Sequence, residues 1–109
     1  MNKEIRENIQ LREDLFDIYE SLELIQERGT LPEFLENSLA IEYTKSIQGL
    51  YLGCLINITS GGPTIDIDTR RNLIVGSWGE TRVEYPLPDG IASNIDELIS
   101  ETVEVIEQK

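Results

Sequence analysis

The chain has 109 residues, of which 39% are hydrophobic, and a net charge of −12 from 21 acidic and nine basic side chains, with no histidine. A surface this acidic repels nucleic acid and anionic membranes and gathers basic partners, so direct nucleic-acid binding and membrane association are excluded from the expected functions. The length suits one compact domain, residues 1–109, with one modest core.

Residues 1–28 carry a helical pattern. Leu11, Leu15, Ile18, Leu22 and Ile25 recur at spacings of four and three, and Ile5, Ile9, Phe16 and Tyr19 widen the stripe. This heptad-like seam is expected to pack within the chain, with pairing in a homodimer as the alternative. Gly29 supplies a stop. Thr30 and Glu33 have capping-box spacing around Pro32, which predicts a second helix from Pro32 to about Ala40. The β-branched mixture from Ile41 to Ile47 leaves that helix's end open, and the stretch also reads as extended.

From Leu50 the period changes to two. Leu50, Leu52, Cys54, Ile56 and Ile58 alternate with Tyr51, Gly53, Leu55 and Asn57, predicting a strand with the first set buried. Ser60-Gly61-Gly62-Pro63 breaks it as a tight turn; no Lys-Ser or Lys-Thr follows, so a phosphate loop is rejected. Further strands are predicted at 64–68, at 73–78 and through Val83 to Leu87, where Pro86 favours an edge or a strand end. After Gly90 the helical period returns, with Ile91, Ile95, Leu98, Ile99, Thr102 and Ile106 as the buried stripe and Asp96 and Glu97 near the positive helix end. The expected fold class is α+β: a four-stranded antiparallel meander sheet with helices packed on one face, in the order α-α-β-β-β-β-α.

No apolar run approaches the roughly 20 residues needed to span a bilayer, and the first residues are charged, which predicts a soluble, cytoplasmic protein. The single Cys54 has no internal disulfide partner and reads as a buried thiol. Without histidine, Ser-His, Cys-His and zinc-type arrangements cannot be assembled, and no cofactor or metal is expected. The remaining enzyme signal is Asp66 and Asp68, about 7 Å apart on one strand face, which Glu84 or Glu80 of a neighbouring strand would join to hold magnesium. A solvated face paired with Arg70, Arg71 and Arg82 is the simpler account. Trp78 falls on the strand face opposite Leu73 and Val75; burial under a helix is favoured over an exposed partner anchor.

Charge is concentrated in the helical segments. Residues 1–28 carry eight acids and four bases, and residues 91–109 five acids and one base. Glu97, Glu101 and Glu104 share the face of the last helix opposite its apolar stripe, about 5–6 Å apart at the backbone level. A solvated helix face is the simpler account of any one such row; the surplus over the whole chain is what brings in mimicry of a polyanion as a reading.

The run Ile56-Asn57-Ile58-Thr59-Ser60-Gly61-Gly62-Pro63-Thr64-Ile65-Asp66-Ile67-Asp68-Thr69, followed by Ile74-Val75-Gly76-Ser77-Trp78-Gly79, Pro86-Leu87-Pro88 and Ile95-Asp96-Glu97-Leu98, resembles small acidic proteins of Gram-positive phages and plasmids. These carry a Gly-Gly-Pro turn, a Gly-x-Trp strand and a closing acidic helix. The resemblance spans residues 40–100 and departs from the family at Asp66 and Ser77, where many members have an aromatic residue. Some proteins of this mobile-element kind are anti-CRISPR inhibitors, so the resemblance implies an inhibitor of that kind, while the DNA-mimic reading comes from the acidic surplus. The leading expectation is a non-enzymatic inhibitor that docks Glu97, Glu101 and Glu104, with Asp66, Asp68, Glu84 and Trp78 as a second patch, into the basic nucleic-acid groove of a partner such as a CRISPR effector nuclease. The alternatives are an immunity or antitoxin-like binder of a basic toxin and a magnesium-dependent enzyme built on Asp66 and Asp68.

Overall fold

A computed structural model describes residues 3–59 and 62–107. Helices α1 (Lys3–Arg28) and α2 (Leu31–Glu36) precede five strands, β1 (Ala40–Lys45), β2 (Tyr51–Asn57), β3 (Thr64–Asp68), β4 (Leu73–Trp78) and β5 (Thr81–Pro86), and α3 (Ile91–Glu107) closes the chain. The strands form one antiparallel sheet in sequential order.

The α+β class and the meander hold, but the sheet has five strands rather than four. The additional strand is β1, drawn from the stretch whose end the sequence left open. Its inner row, Ile41 and Tyr43, alternates with Glu42 and Thr44 but is only two residues long and half-buried or exposed. Pairing with β2 makes it a strand: Ile41 lies opposite Ile56 and Tyr43 opposite Cys54. This pairing also shortens α2, which ends at Glu36 instead of near Ala40. The Asn37 side-chain amide donates to the Glu33 carbonyl (2.8 Å), the Ser38 hydroxyl donates to the Leu35 carbonyl (2.7 Å), and the Leu39 N–H already donates to Asn57 of β2 (3.0 Å). Thr30 precedes the helix but makes no side-chain cap, so the capping box does not form.

The helix stop after α1 is a Schellman motif. Gly29 takes a positive φ of 71°, its N–H donates to the Gln26 carbonyl (3.3 Å) and the Thr30 N–H to Ile25 (3.0 Å). The seam of α1 packs within the chain: Leu11, Leu15 and Leu22 are fully buried, with Ile18 and Ile25 packed beside them. Gly76 of β4 permits the close approach, since a Cβ there would sit 3.0 Å from Leu15 Cδ2 and 3.2 Å from Leu11 Cδ2. Tyr85 of β5 receives Tyr19 and Phe16 edge-on, at centroid distances of 5.3 and 6.2 Å.

α1 lies over β4 and β5, and α3 lies over β2. Both share one core with Ile56, Ile67 and Ile74, leaving the other sheet face open. On α3 the buried stripe is Ile91, Ile95, Ile99 and Val103. Thr102 and Ile106, expected inside, are exposed: Thr102 faces the side of the helix, and Ile106 lies in the last turn, which the core no longer covers. Pro86 ends β5, an edge strand. Of the predicted Ser60-Gly61-Gly62-Pro63 turn, Ser60 and Gly61 lie outside the described residues. Thr59 closes the described part, its hydroxyl donating to the Pro63 carbonyl (3.0 Å) and accepting the Ile65 N–H (2.8 Å).

Candidate partner-binding surface

The position of α3 depends on a bulge in β2. Thr44 lies opposite Gly53 and Lys45 opposite Tyr51, so Leu52 is the extra residue. The insertion reverses the expected alternation: Tyr51 turns toward the helices, whereas Leu50 and Leu52 are exposed. Gly53 makes this geometry available, because its φ is +153° and a Cβ would run into the Arg70 side chain at Cγ.

Tyr51 then reaches α3. Its hydroxyl donates to Asp96 Oδ1 (2.7 Å), and the buried Thr69 hydroxyl donates to the same oxygen (2.8 Å) while accepting the Cys54 N–H (2.9 Å). Burial drives the Tyr51 phenol strongly upward from its ordinary pKa, aided by its bonds to Cys54 and Asp96. Burial likewise raises the Cys54 thiol, against the bonds from Tyr51 and Thr69, so it is held in the unreactive thiol form. The cluster therefore latches α3 to the sheet. The sequence placed Asp96 as a helix-end charge; its role as a latch depends on the bulge, which no local spacing announces.

With α3 fixed by Asp96, the next residue begins the acidic row. Glu97, Glu101 and Glu104 are all exposed and form no ion pair among the described residues. At the helix end Glu107 does have partners, Lys45 through an ion pair and Tyr43 through its hydroxyl.

The second predicted patch, Asp66, Asp68 and Glu84, lies on the open sheet face. Asp66 and Glu84 lie opposite Val75 from either side, and Asp68 lies opposite Leu73. These carboxylates are neutralised or occupied. Asp68 accepts the backbone N–H groups of Arg70 (3.1 Å) and Arg71 (3.2 Å) and the Arg71 Nε (2.9 Å). Glu84 pairs with Arg71 (3.3 Å) and Arg82 (3.1 Å), and Asp66 accepts the Asn57 amide (3.0 Å). Arg71 and Arg82 thus make the cross-strand pairs the sequence anticipated, whereas the Arg70 side chain lies across Gly53. Among the described residues no group of three or more His, Cys, Asp or Glu side chains gathers as a metal-ligand set. Glu80 lies in the turn after β4, away from Asp68 at the far end of its strand. Trp78, favoured as a core residue, is outside the core cluster and 36% exposed at the end of β4; it lies opposite Thr81 in the last pair of the β4–β5 ladder. No described helix is long and apolar enough to cross a membrane.

Net charge follows the same division. The helices carry fifteen acids (eight on α1, two on α2, five on α3) against four bases, all on α1; the strands and turns from 40 to 86 carry five acids against four bases. The helix layer therefore holds a surplus of eleven negative charges and the sheet a surplus of one.

Comparison with known proteins adds no relative: no family model matches the chain, and no curated protein or solved structure matches it.

Proposed function

We propose that the protein is a non-enzymatic inhibitor that presents its helix layer to the basic nucleic-acid groove of a host-defence nuclease, in the manner of an anti-CRISPR DNA mimic. The observation that carries this reading is the unneutralised row Glu97, Glu101 and Glu104 within a layer that holds eleven of the chain's twelve net charges. Lysines and arginines that normally contact phosphates would meet these carboxylates in charge-assisted hydrogen bonds. The sheet patch plays a smaller part because Arg71 and Arg82 already pair with Asp68 and Glu84, and Asn57 occupies Asp66.

The test is capture from bacterial lysate on immobilised protein at about 0.1 M and about 0.5 M salt, with and without competing RNA and DNA, since screening at the higher salt shortens the Debye length severalfold. Retention of a nucleic-acid enzyme at low salt, with release by salt and by nucleic acid, is the expected result. Retention of a basic partner that nucleic acid does not displace would favour a toxin-binding immunity protein. Capture of no nucleic-acid enzyme under any condition would end the proposal.

A further inference from the structure

The two edges of the sheet are protected unequally. On β5, Pro86 ends the strand, and Arg82 and Glu84 pair with each other across its open face, which are ordinary defences against strand addition. β1 has no proline, a single acid and, at its end, Lys45 engaged by Glu107. Its outer backbone edge faces no other described strand.

Beside this edge lies a groove of about 290 Å³ between α2, α3 and β1. Leu35, Ile41, Leu98 and Ile99 supply its apolar lining, and Glu36 and Glu101 stand on its rim. Neither rim carboxylate has an ion-pair partner among the described residues, and Glu42, on the opposite face of β1, has none either. A free strand edge, an apolar pocket on one side and carboxylates on both sides match the requirements of strand addition: backbone bonds provide attachment and alternate side chains provide selectivity.

We infer that the β1 edge is a docking site for a basic, extended peptide segment, which adds as a sixth strand, places one aliphatic side chain between α2 and α3, and sets lysines or arginines against Glu36, Glu101 and Glu42. This inference does not depend on whether the helix layer mimics nucleic acid, and its test involves no nuclease. The charge complementarity also argues against a second copy as the occupant, because a partner of net charge −12 would bring more carboxylates to the same edge.

The probe is the capped heptapeptide Thr-Lys-Lys-Leu-Lys-Lys-Thr, titrated into the full chain and followed by amide NMR shifts and hydrogen exchange. Two further versions carry N-methyl groups on either the even or the odd positions. Strand addition uses the N–H groups of alternate residues only, so one methylated series is expected to lose binding at least tenfold while the other retains it. Shifts and slowed exchange should centre on residues 39–45, and Glu36→Gln with Glu101→Gln should weaken the parent peptide about tenfold. Equal binding of both methylated series, shifts confined to the outer faces of α1 and α3, or no saturable binding would each overturn the inference.

Discussion

The helix layer and the open sheet face both display carboxylates, and the sheet pairs Asp68 and Glu84 with arginines whereas α3 leaves Glu97, Glu101 and Glu104 without an ion-pair partner among the described residues. Asp68 is occupied by two backbone N–H groups and a guanidinium, and Glu84 by two arginines. Four residues on the sheet thus stabilise one another across neighbouring strands. Glu97, Glu101 and Glu104 have no ion-pair partner among the described residues, and α3 contains no basic residue at all. Like charges at these helical spacings cost a few tenths of a kcal/mol per pair. A fold that bears that cost, while neutralising its sheet, keeps potential on one side only, and that side is the one able to act on a cationic partner at a distance.

The strongest way to break this comparison is to reverse each trio in turn. Changing Glu97, Glu101 and Glu104 together to lysine should weaken a captured nucleic-acid enzyme about 100-fold, if each lost charge pair is worth roughly 1 kcal/mol and the new charges repel, while thermal stability stays within about 1 kcal/mol. Changing Asp66, Asp68 and Glu84 to lysine should do the opposite, lowering stability because Arg71 and Arg82 lose their partners, with binding changed less than tenfold. Calorimetry and affinity measured on the same preparations would decide it. Equal loss of binding from both trios would remove the distinction between the two faces.

Neighbouring residues on α3 offer a sharper contrast. Asp96→Ala leaves the Tyr51 and Thr69 hydroxyls without their acceptor in a part-buried site, at an expected cost of about 2 kcal/mol in urea denaturation. Glu97→Ala, one residue further and exposed without an ion-pair partner, should change stability by less than about 0.5 kcal/mol. Adjacent carboxylates with opposite consequences would show that the latch, not helix-end charge, holds α3 in place.

These features were unequally legible in the sequence. The end of α1 at Gly29 and strands β3 to β5 follow from turn chemistry and strict alternation, and the Glu97, Glu101, Glu104 row follows from helical spacing alone. β1 was legible only as the alternative reading of its stretch, because Ile41 and Tyr43 alternating with Glu42 and Thr44 make too short a pattern to decide between helix and strand, and pairing with β2 settles it. The bulge at Leu52 and Gly53 was hidden for a different reason: a two-residue period continues smoothly through Leu50, Leu52 and Cys54 in one dimension, and the shift appears only in register with Thr44 and Lys45. From that one displaced residue came three further differences, the exposure of Leu50 and Leu52, the inward turn of Tyr51 and the latch at Asp96. The arginine pairing of the sheet acids was visible as composition, but which arginine met which acid depended on strand register.

The latch also gives the two layers a shared response to alkali. Folding raises the Tyr51 pKa above its ordinary value of 10.0 and the Cys54 pKa above 9.0. Both groups are neutral when protonated, so the stability they contribute is complete below those unfolded-state values and declines as pH rises past them. Unfolding midpoints measured from pH 8 to pH 11 should therefore fall from about pH 9 upward. Tyr51→Phe should cost about 1 kcal/mol at pH 7, the worth of one hydrogen bond to a carboxylate, and should flatten the decline above pH 10. An unchanged alkaline slope in this variant would mean that the phenol is not what couples the layers.

The smallest expected effect concerns the sheet's own charge. Arg71 joins Asp68 to Glu84 at a half-exposed site, where paired charges contribute less than about 1 kcal/mol and are screened by salt. Arg71→Gln should therefore lower stability by about 0.5 kcal/mol in dilute buffer and by less in 0.5 M sodium chloride. It also leaves Asp68 with its two backbone N–H donors only and Glu84 with Arg82 alone, so the open face of the variant becomes one charge more negative. Affinity for a cationic partner should then rise by a factor of about two, and the gain should vanish in high salt together with the stability difference. A variant whose loss of stability is unaffected by salt would show that Arg71 acts by packing its stem on the sheet, and the open face would then owe its quiet electrostatics to Arg82 alone.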